Sequence, residues 1–182
     1  MKVHTTPIDG LLLIEPKVFG DERGFFCETW QAERYREAGV EGTFVQDNHS
    51  RSSQGVLRGL HYQIRQPQGK LVRVTHGEVF DVAVDMRRSS ATFGQWYGVV
   101  LSGENHRQFW VPPGFAHGFY VMSESADFHY KCTDYYAPEH ERCLLWNDKA
   151  VGIEWPLVDG SEPELSAKDT AGVPLESAEA FD

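Results

Sequence analysis

The sequence predicts an all-β domain, a sandwich or a barrel, and three observations lead there. Short runs rich in Val, Phe, Tyr and Leu recur along the chain with Gly, Pro, Asn or Asp clusters between them. Only one stretch has the composition of a helix. The 182 residues include 11 Phe, 7 Tyr and 5 Trp, enough to fill the inside of a sheet structure without disulfides or a structural metal.

The strands expected in chain order are Leu11 to Phe19, Val56 to Ile64, Leu71 to Val74, Glu78 to Asp85, Trp96 to Leu101, Gln108 to Val111, Gly118 to Val121, Phe128 to Thr133 and Cys143 to Trp146. Leu71 to Val74 and Glu78 to Asp85 are separated by Thr75-His76-Gly77 and read as a hairpin. Ser102-Gly103-Glu104-Asn105 reads as another turn. The helix is Gln31 to Ala38, rich in helix formers and followed by Gly39, which can take the left-handed C-terminal position. From Leu157 the chain turns acidic and rich in Ser, Pro and Ala, so composition alone makes residues 157 to 182 a solvated tail of a single domain spanning 1 to 182.

Seventeen Lys and Arg against 27 Asp and Glu give a net charge of −10, which excludes a nucleic-acid binder relying on long-range attraction. An anionic ligand must then be held by a local basic cluster. Cys27, Cys132 and Cys143 form no close pair and read as small buried hydrophobes in a reducing compartment. With no signal-like or membrane-length apolar run, the expectation is a cytoplasmic protein without membrane or nucleic-acid partners.

Candidate chemistry concentrates in Leu57 to Val74, where Arg58, His61 and Lys70 interrupt the strands. A base, a cation and an arginine are what deprotonation beside a carbonyl needs if the three converge. A second motif, Val111-Pro112-Pro113-Gly114-Phe115-Ala116-His117-Gly118, sets a rigid turn before a histidine. It resembles the cupin pattern Pro-x-Gly-x-x-His and implies a cupin-like jelly-roll barrel. Many cupins hold a transition metal with a His-x-His pair, a glutamate and this later histidine. Here the second position of the pair is Gln63, and Pro67 and Gln68 occupy the glutamate positions. Two histidines without a carboxylate make a poor first-row metal site, so neither metal nor other cofactor is expected. The remaining histidines, including His49, His76 and His129, read as ordinary core or surface residues.

Further strings occur in order: Gly20-Asp21-Glu22-Arg23-Gly24-Phe25-Phe26, Gln46-Asp47-Asn48-His49-Ser50, Leu57 to Gln63, Gln68 to Val74, Tyr130-Lys131, Thr133-Asp134-Tyr135-Tyr136 and Leu165-Ser166-Ala167-Lys168-Asp169. Together with the second motif they resemble the dTDP-4-dehydrorhamnose 3,5-epimerases across about residues 10 to 175. The resemblance implies a metal-independent homodimer that epimerises C3 and C5 of dTDP-4-dehydro-6-deoxy-D-glucose. It assigns His61 as base, Asp169 as its partner, Tyr130 as proton donor and Lys70 as stabiliser of the enolate oxygen, and it makes the acidic segment of about 157 to 182 a partial closure over the site instead of a solvated tail. Arg23 and Arg58 match diphosphate contacts, and Gln46, Asp47 and Asn48 match the nucleotide-binding run. Glu28, His117, Tyr136, Glu141 and Lys168 match further ligand contacts. His129 stands before Tyr130 where the family pattern has an apolar residue. The competing readings are an epimerase acting at one carbon of a related 4-keto sugar and a non-catalytic sugar-nucleotide binder.

Overall fold

The computed structural model describes all residues, Met1–Asp182. It contains β1 (Lys2–Thr5), β2 (Leu12–Glu15), β3 (Val18–Asp21), β4 (Gly24–Cys27), α1 (Ala32–Glu37), β5 (Gln46–Ser53), β6 (Leu57–Gln63), β7 (Lys70–His76), β8 (Glu78–Asp85), β9 (Trp96–Ser102), β10 (Gln108–Val111), β11 (Phe115–Val121), β12 (Ser125–Cys132), β13 (Glu141–Cys143) and α2 (Ala167–Thr170). A six-stranded sheet in the order β1-β2-β10-β7-β12-β5 faces a five-stranded sheet in the order β13-β6-β11-β8-β9, and β3 with β4 forms a separate hairpin. This is the cupin-like jelly roll.

Between the sheets, Val72, Val74, Phe109, Val111 and Phe128 of the larger meet Val79, Ala83, Leu101, Phe119 and Val121 of the smaller. Phe119 and Phe128 stack across the gap with centroids 4.1 Å apart and rings 14° from parallel. Each fully buried side chain of this size contributes roughly 1.5 to 3 kcal/mol of transfer free energy.

Strand β11 is buried along its whole length because the smaller sheet is covered on both faces. Its outer face, with Leu60, Tyr62, Val82, Val84 and Ala116, packs against Leu144, Val151 and Ala178. The C-terminal segment therefore is not a solvated tail: its apolar residues lie too far apart in sequence to register as a run, yet they cover this sheet. Short parallel bridges tie Glu164 to Val56, Val173 to Leu144 and Phe181 to Arg87.

Two local expectations are corrected. Strands β7 and β8 do not pair, since β7 lies between β10 and β12 while β8 lies between β11 and β9. The turn between them is a crossing from one sheet to the other. Gly77 makes it possible, with φ +72° and so close an approach that a Cβ would lie 1.9 Å from the Ser125 carbonyl oxygen. Leu11 to Phe19 is two strands in different sheets. Strands β1, β4 and β5 were not legible, because β5 alternates half-buried and exposed polar residues over much of its length and carries no apolar face. Helix α1 begins with the Gln31 side chain accepting from the Arg34 N–H at 2.6 Å, and Tyr35 anchors it on Ile14, Leu71 and Trp110 of the larger sheet.

Candidate functional site

Strands β6 and β11 place His61 and His117 directly opposite each other. The backbones approach closely there: a Cβ on Gly118 would sit 2.5 Å from the Arg58 carbonyl oxygen, so only glycine fits. Both histidines face a cavity of about 270 Å³ lined also by Arg58, Lys70, Tyr130, Ser166, Lys168 and Asp169. The sandwich thus brings together residues from β6, β7, β11 and β12, and α2 adds the acid.

Asp169 is 2% exposed. Its Oδ1 lies 2.7 Å from Nε2 of His61 and accepts the Gly59 N–H at 3.1 Å, while Oδ2 accepts the Ser166 hydroxyl at 2.6 Å. The His61 contact has the distance of an ion pair but not the direction of a good hydrogen bond, and Nε2 has no other partner. Burial alone would raise the Asp169 pKa, but His61, Ser166 and the Gly59 N–H favour the carboxylate and hold it at about 2. Asp169 is also N3 of α2 in a reciprocal capping box with Ser166, which explains why so short a helix forms here.

Lys70 opens β7 and sits deep in the site. Burial lowers its pKa, opposed by Cys132, Glu141 and Asp81. Burial raises the Tyr130 phenol, so it holds its proton across neutral pH. His117 Nε2 lies 2.9 Å from Asp81 Oδ1. Burial raises the Asp81 pKa, against the pull of His117 and Lys70. Asp81 was missed from sequence: it shares the inward face of β8 with Val79 and Ala83, but β8 is apolar on both faces and no alternation marks that side.

Arg58 donates from Nε to Ser52 Oγ at 2.9 Å while lining the cavity. At the rim Lys168 contacts both Tyr136 and Glu141, the Tyr136 hydroxyl donates to Glu141 at 3.1 Å, and the Tyr136 N–H donates to Gln46 Oε1 at 2.9 Å. Ser50 of β5 lines the cavity, and on the same face of that strand Gln46 reaches the rim through Tyr136 and donates to Asn48 Oδ1 at 3.1 Å. The structure does not bring Asn48, Asp47, Glu28 or Arg23 to this cavity within one chain. Asn48 and Asp47 line a second space with His49, His129 and Tyr130, where Asp47 pairs with Lys131 at 2.6 Å. Glu28 pairs with Arg34. Arg23 is at the tip of the β3–β4 hairpin, paired with Asp21 and 90% exposed in its side chain.

His129 does not displace Tyr130. It stacks on His49 with centroids 4.0 Å apart, and the β12 pairing with β7 runs unbroken from Phe128 to Cys132.

The cupin ligand positions do not fit a metal. Gln63 donates to the carbonyls of Gln66 and Tyr135 and accepts from the Ala137 N–H, so its amide is committed to the backbone. The group with metal-ligand chemistry is a different one: His61, Cys143 and Asp169.

No helix is long and apolar enough to cross a membrane. A family model described as dTDP-4-dehydrorhamnose 3,5-epimerase matches residues 5–177. A dTDP-4-dehydrorhamnose 3,5-epimerase of Pseudomonas aeruginosa is 60% identical over 100% of this chain and 99% of the relative. Among solved structures, dTDP-6-deoxy-D-glucose-3,5-epimerase from Legionella pneumophila in complex with dTDP-4-keto-L-rhamnose superposes with TM-score 0.94 at 60% identity, covering 98% of this chain and 94% of that one. A 3'-monoepimerase from Streptomyces bikiniensis in complex with dTDP-quinovose superposes with TM-score 0.89 at 34% identity, covering 96% and 88%.

Proposed function

The chain belongs to the dTDP-4-dehydrorhamnose 3,5-epimerase family, and on that premise we infer that its cavity carries out the family's two proton transfers. It is an isomerase that converts dTDP-4-dehydro-6-deoxy-D-glucose to dTDP-4-dehydro-L-rhamnose. The observation that carries the mechanism is the convergence of His61, Asp169, Lys70 and Tyr130 on one 270 Å³ space.

Carbons 3 and 5 of the sugar flank the C4 ketone, so removing either hydrogen gives an enolate delocalised onto O4. His61 takes the proton, and the Asp169 carboxylate beside it stabilises the imidazolium formed. The Lys70 ammonium offsets the charge on O4. Such a contact is typically worth roughly 3 to 4 kcal/mol in the transition state. Tyr130, protonated and on another wall of the cavity, returns a proton to the opposite face and inverts the centre. Arg58 binds the diphosphate by charge-assisted hydrogen bonds, supplying the local positive charge that a chain of net charge −10 requires. Gln46 and Asn48 present paired donors and acceptors to the base, Tyr136 offers a ring for it to stack on, and His117, Glu141 and Lys168 complete the sugar and phosphate contacts. No step requires a metal.

A homodimer accounts for Arg23. The hairpin that bears it exposes Phe19, Phe25 and Phe26 by 52%, 65% and 68%, an apolar surface that a second copy would cover. Seated against a partner, the hairpin would deliver Arg23 to the partner's cavity.

The test is deuterium incorporation from D₂O into the product. Exchange at both C3 and C5 is expected. Exchange at one carbon alone would replace this reading with a single-carbon epimerase, the reaction class of the Streptomyces bikiniensis structure.

A further inference from the structure

The row of side chains that crosses the smaller sheet holds more than the base. Cys143 is the register partner of His61 between β13 and β6, so both side chains leave the sheet on the same face. Helix α2 then brings Asp169 onto the pair. One atom from each residue, an imidazole nitrogen, the thiol sulfur and a carboxylate oxygen, all lie within 4.8 Å of one another. Zinc bonds of about 2.0 Å to nitrogen or oxygen and about 2.3 Å to sulfur put tetrahedral donors roughly 3.3 to 3.6 Å apart. Side-chain movements on the order of 1 Å therefore convert this triangle into three corners of a tetrahedron.

The donors are also available. Nε2 of His61 is buried and makes no well-directed hydrogen bond. The Cys143 sulfur makes a weak 3.7 Å contact with the Leu144 carbonyl and a backbone hydrogen bond with Leu60. Asp169 Oδ2 is held by Ser166, and Oδ1 accepts one bond, from the Gly59 N–H, while lying 2.7 Å from Nε2 of His61. One nitrogen, one sulfur and one carboxylate oxygen is a set that borderline-soft divalent ions favour.

We propose that His61, Cys143 and Asp169 form a binding site for a thiophilic divalent cation such as Zn²⁺, and that its occupation inhibits the enzyme reversibly. With the Nε2 lone pair on the ion, the proton of the neutral ring sits on Nδ1, which then has no lone pair for a substrate proton, so metal and catalysis exclude each other. This is an inhibitory site and not the seat of a cofactor. The inhibition rests on His61 being the base, whereas the coordination does not.

Without metal the thiol is inert: burial, with Asp169 and Glu141 nearby, pushes its pKa up to about 12. A dication reverses that balance by offsetting the carboxylate charge and stabilising the thiolate. On binding, the S–H bond breaks, its proton passes to solvent, and sulfur, nitrogen and carboxylate oxygen each donate a pair to the ion.

The experiment titrates the purified full-length protein with Co²⁺ and, separately, measures Zn²⁺ inhibition of solvent deuterium exchange into the sugar. Wild type is expected to develop a thiolate-to-cobalt charge-transfer band, and Zn²⁺ inhibition is expected to be reversed by a chelator. Cys143→Ser should keep turnover within about twofold, lose the band, and need at least about tenfold more Zn²⁺ for half inhibition. Cys143→Ala serves as the second variant if serine perturbs folding. No band in wild type, or an unchanged band in the variants, would overturn the site. A band without inhibition would keep the site and overturn its effect on His61.

Discussion

Replacing Asp169 by Asn removes the charge beside His61 and changes almost nothing else in shape. The carboxylate oxygen is 2.7 Å from Nε2, which puts the centres of the two delocalised charges about 4 Å apart once the imidazolium has formed. At an effective dielectric constant of about 20 that attraction is worth about 4 kcal/mol, or roughly a thousandfold in rate. The charge appears only as the proton is captured, so the loss belongs to kcat, with KM and affinity for dTDP nearly unchanged. The assay is steady-state turnover of dTDP-4-dehydro-6-deoxyglucose with parallel dTDP titration and thermal melting. A stability change must be separated out, because Asp169 also accepts the Gly59 N–H and caps α2. Its pKa of about 2 against an ordinary 3.8 contributes about 2 kcal/mol of stability above pH 4, lost as pH falls from about 4 to about 2. The variant should therefore be less stable than wild type at neutral pH and equal to it near pH 2. If kcat falls less than about tenfold while the fold stays intact at the assay temperature, the carboxylate does not serve the base and the proton-transfer scheme fails.

Lys70→Arg should shift the alkaline limb of kcat/KM upward, because burial has lowered the lysine pKa and a guanidinium keeps its charge as pH rises. An unmoved limb would exclude Lys70 as the group that titrates. Tyr130→Phe should uncouple exchange from inversion: His61 still removes and returns a proton, so deuterium enters with configuration retained, as NMR of the sugar would show. Full epimerisation in that variant would rule the phenol out as donor. Gly77→Ala forces a Cβ against the Ser125 carbonyl at positive φ and should cost at least about 2 kcal/mol, read as a lower denaturation midpoint at unchanged m-value.

How far the sequence was legible depended on what kind of order each segment has. The apolar strands β6 to β12 announced themselves because both faces of the smaller sheet, and one of the larger, are dry. Strand β5 did not, since most of it is partly or fully exposed and polar. The false β7–β8 hairpin came from treating adjacency as pairing: Gly77 marks a sharp reversal, but turn chemistry alone does not say whether the chain returns to its own sheet or crosses to the facing one. In the site, His61 and Lys70 stood out as polar interruptions of apolar strands. Asp169 carried no such signal. Its burial depends on a capping box and on contacts with strands about a hundred residues earlier, which composition does not reveal and only the resemblance of Leu165-Ser166-Ala167-Lys168-Asp169 pointed to. Asp81 was hidden because β8 is apolar on both faces, so nothing in the run shows which way the acid points.

The C-terminal segment gives the molecule an order of assembly. All the strands of both sheets have been synthesised once the ribosome has passed Cys143, and the sandwich core has all its residues by then. The acid that completes the dyad emerges only afterward, together with the residues that seal the outer face of the smaller sheet. The carboxylate beside the base and the cover of the smaller sheet thus belong to one segment, so a change that loosens the cover also disturbs the pair that moves the proton.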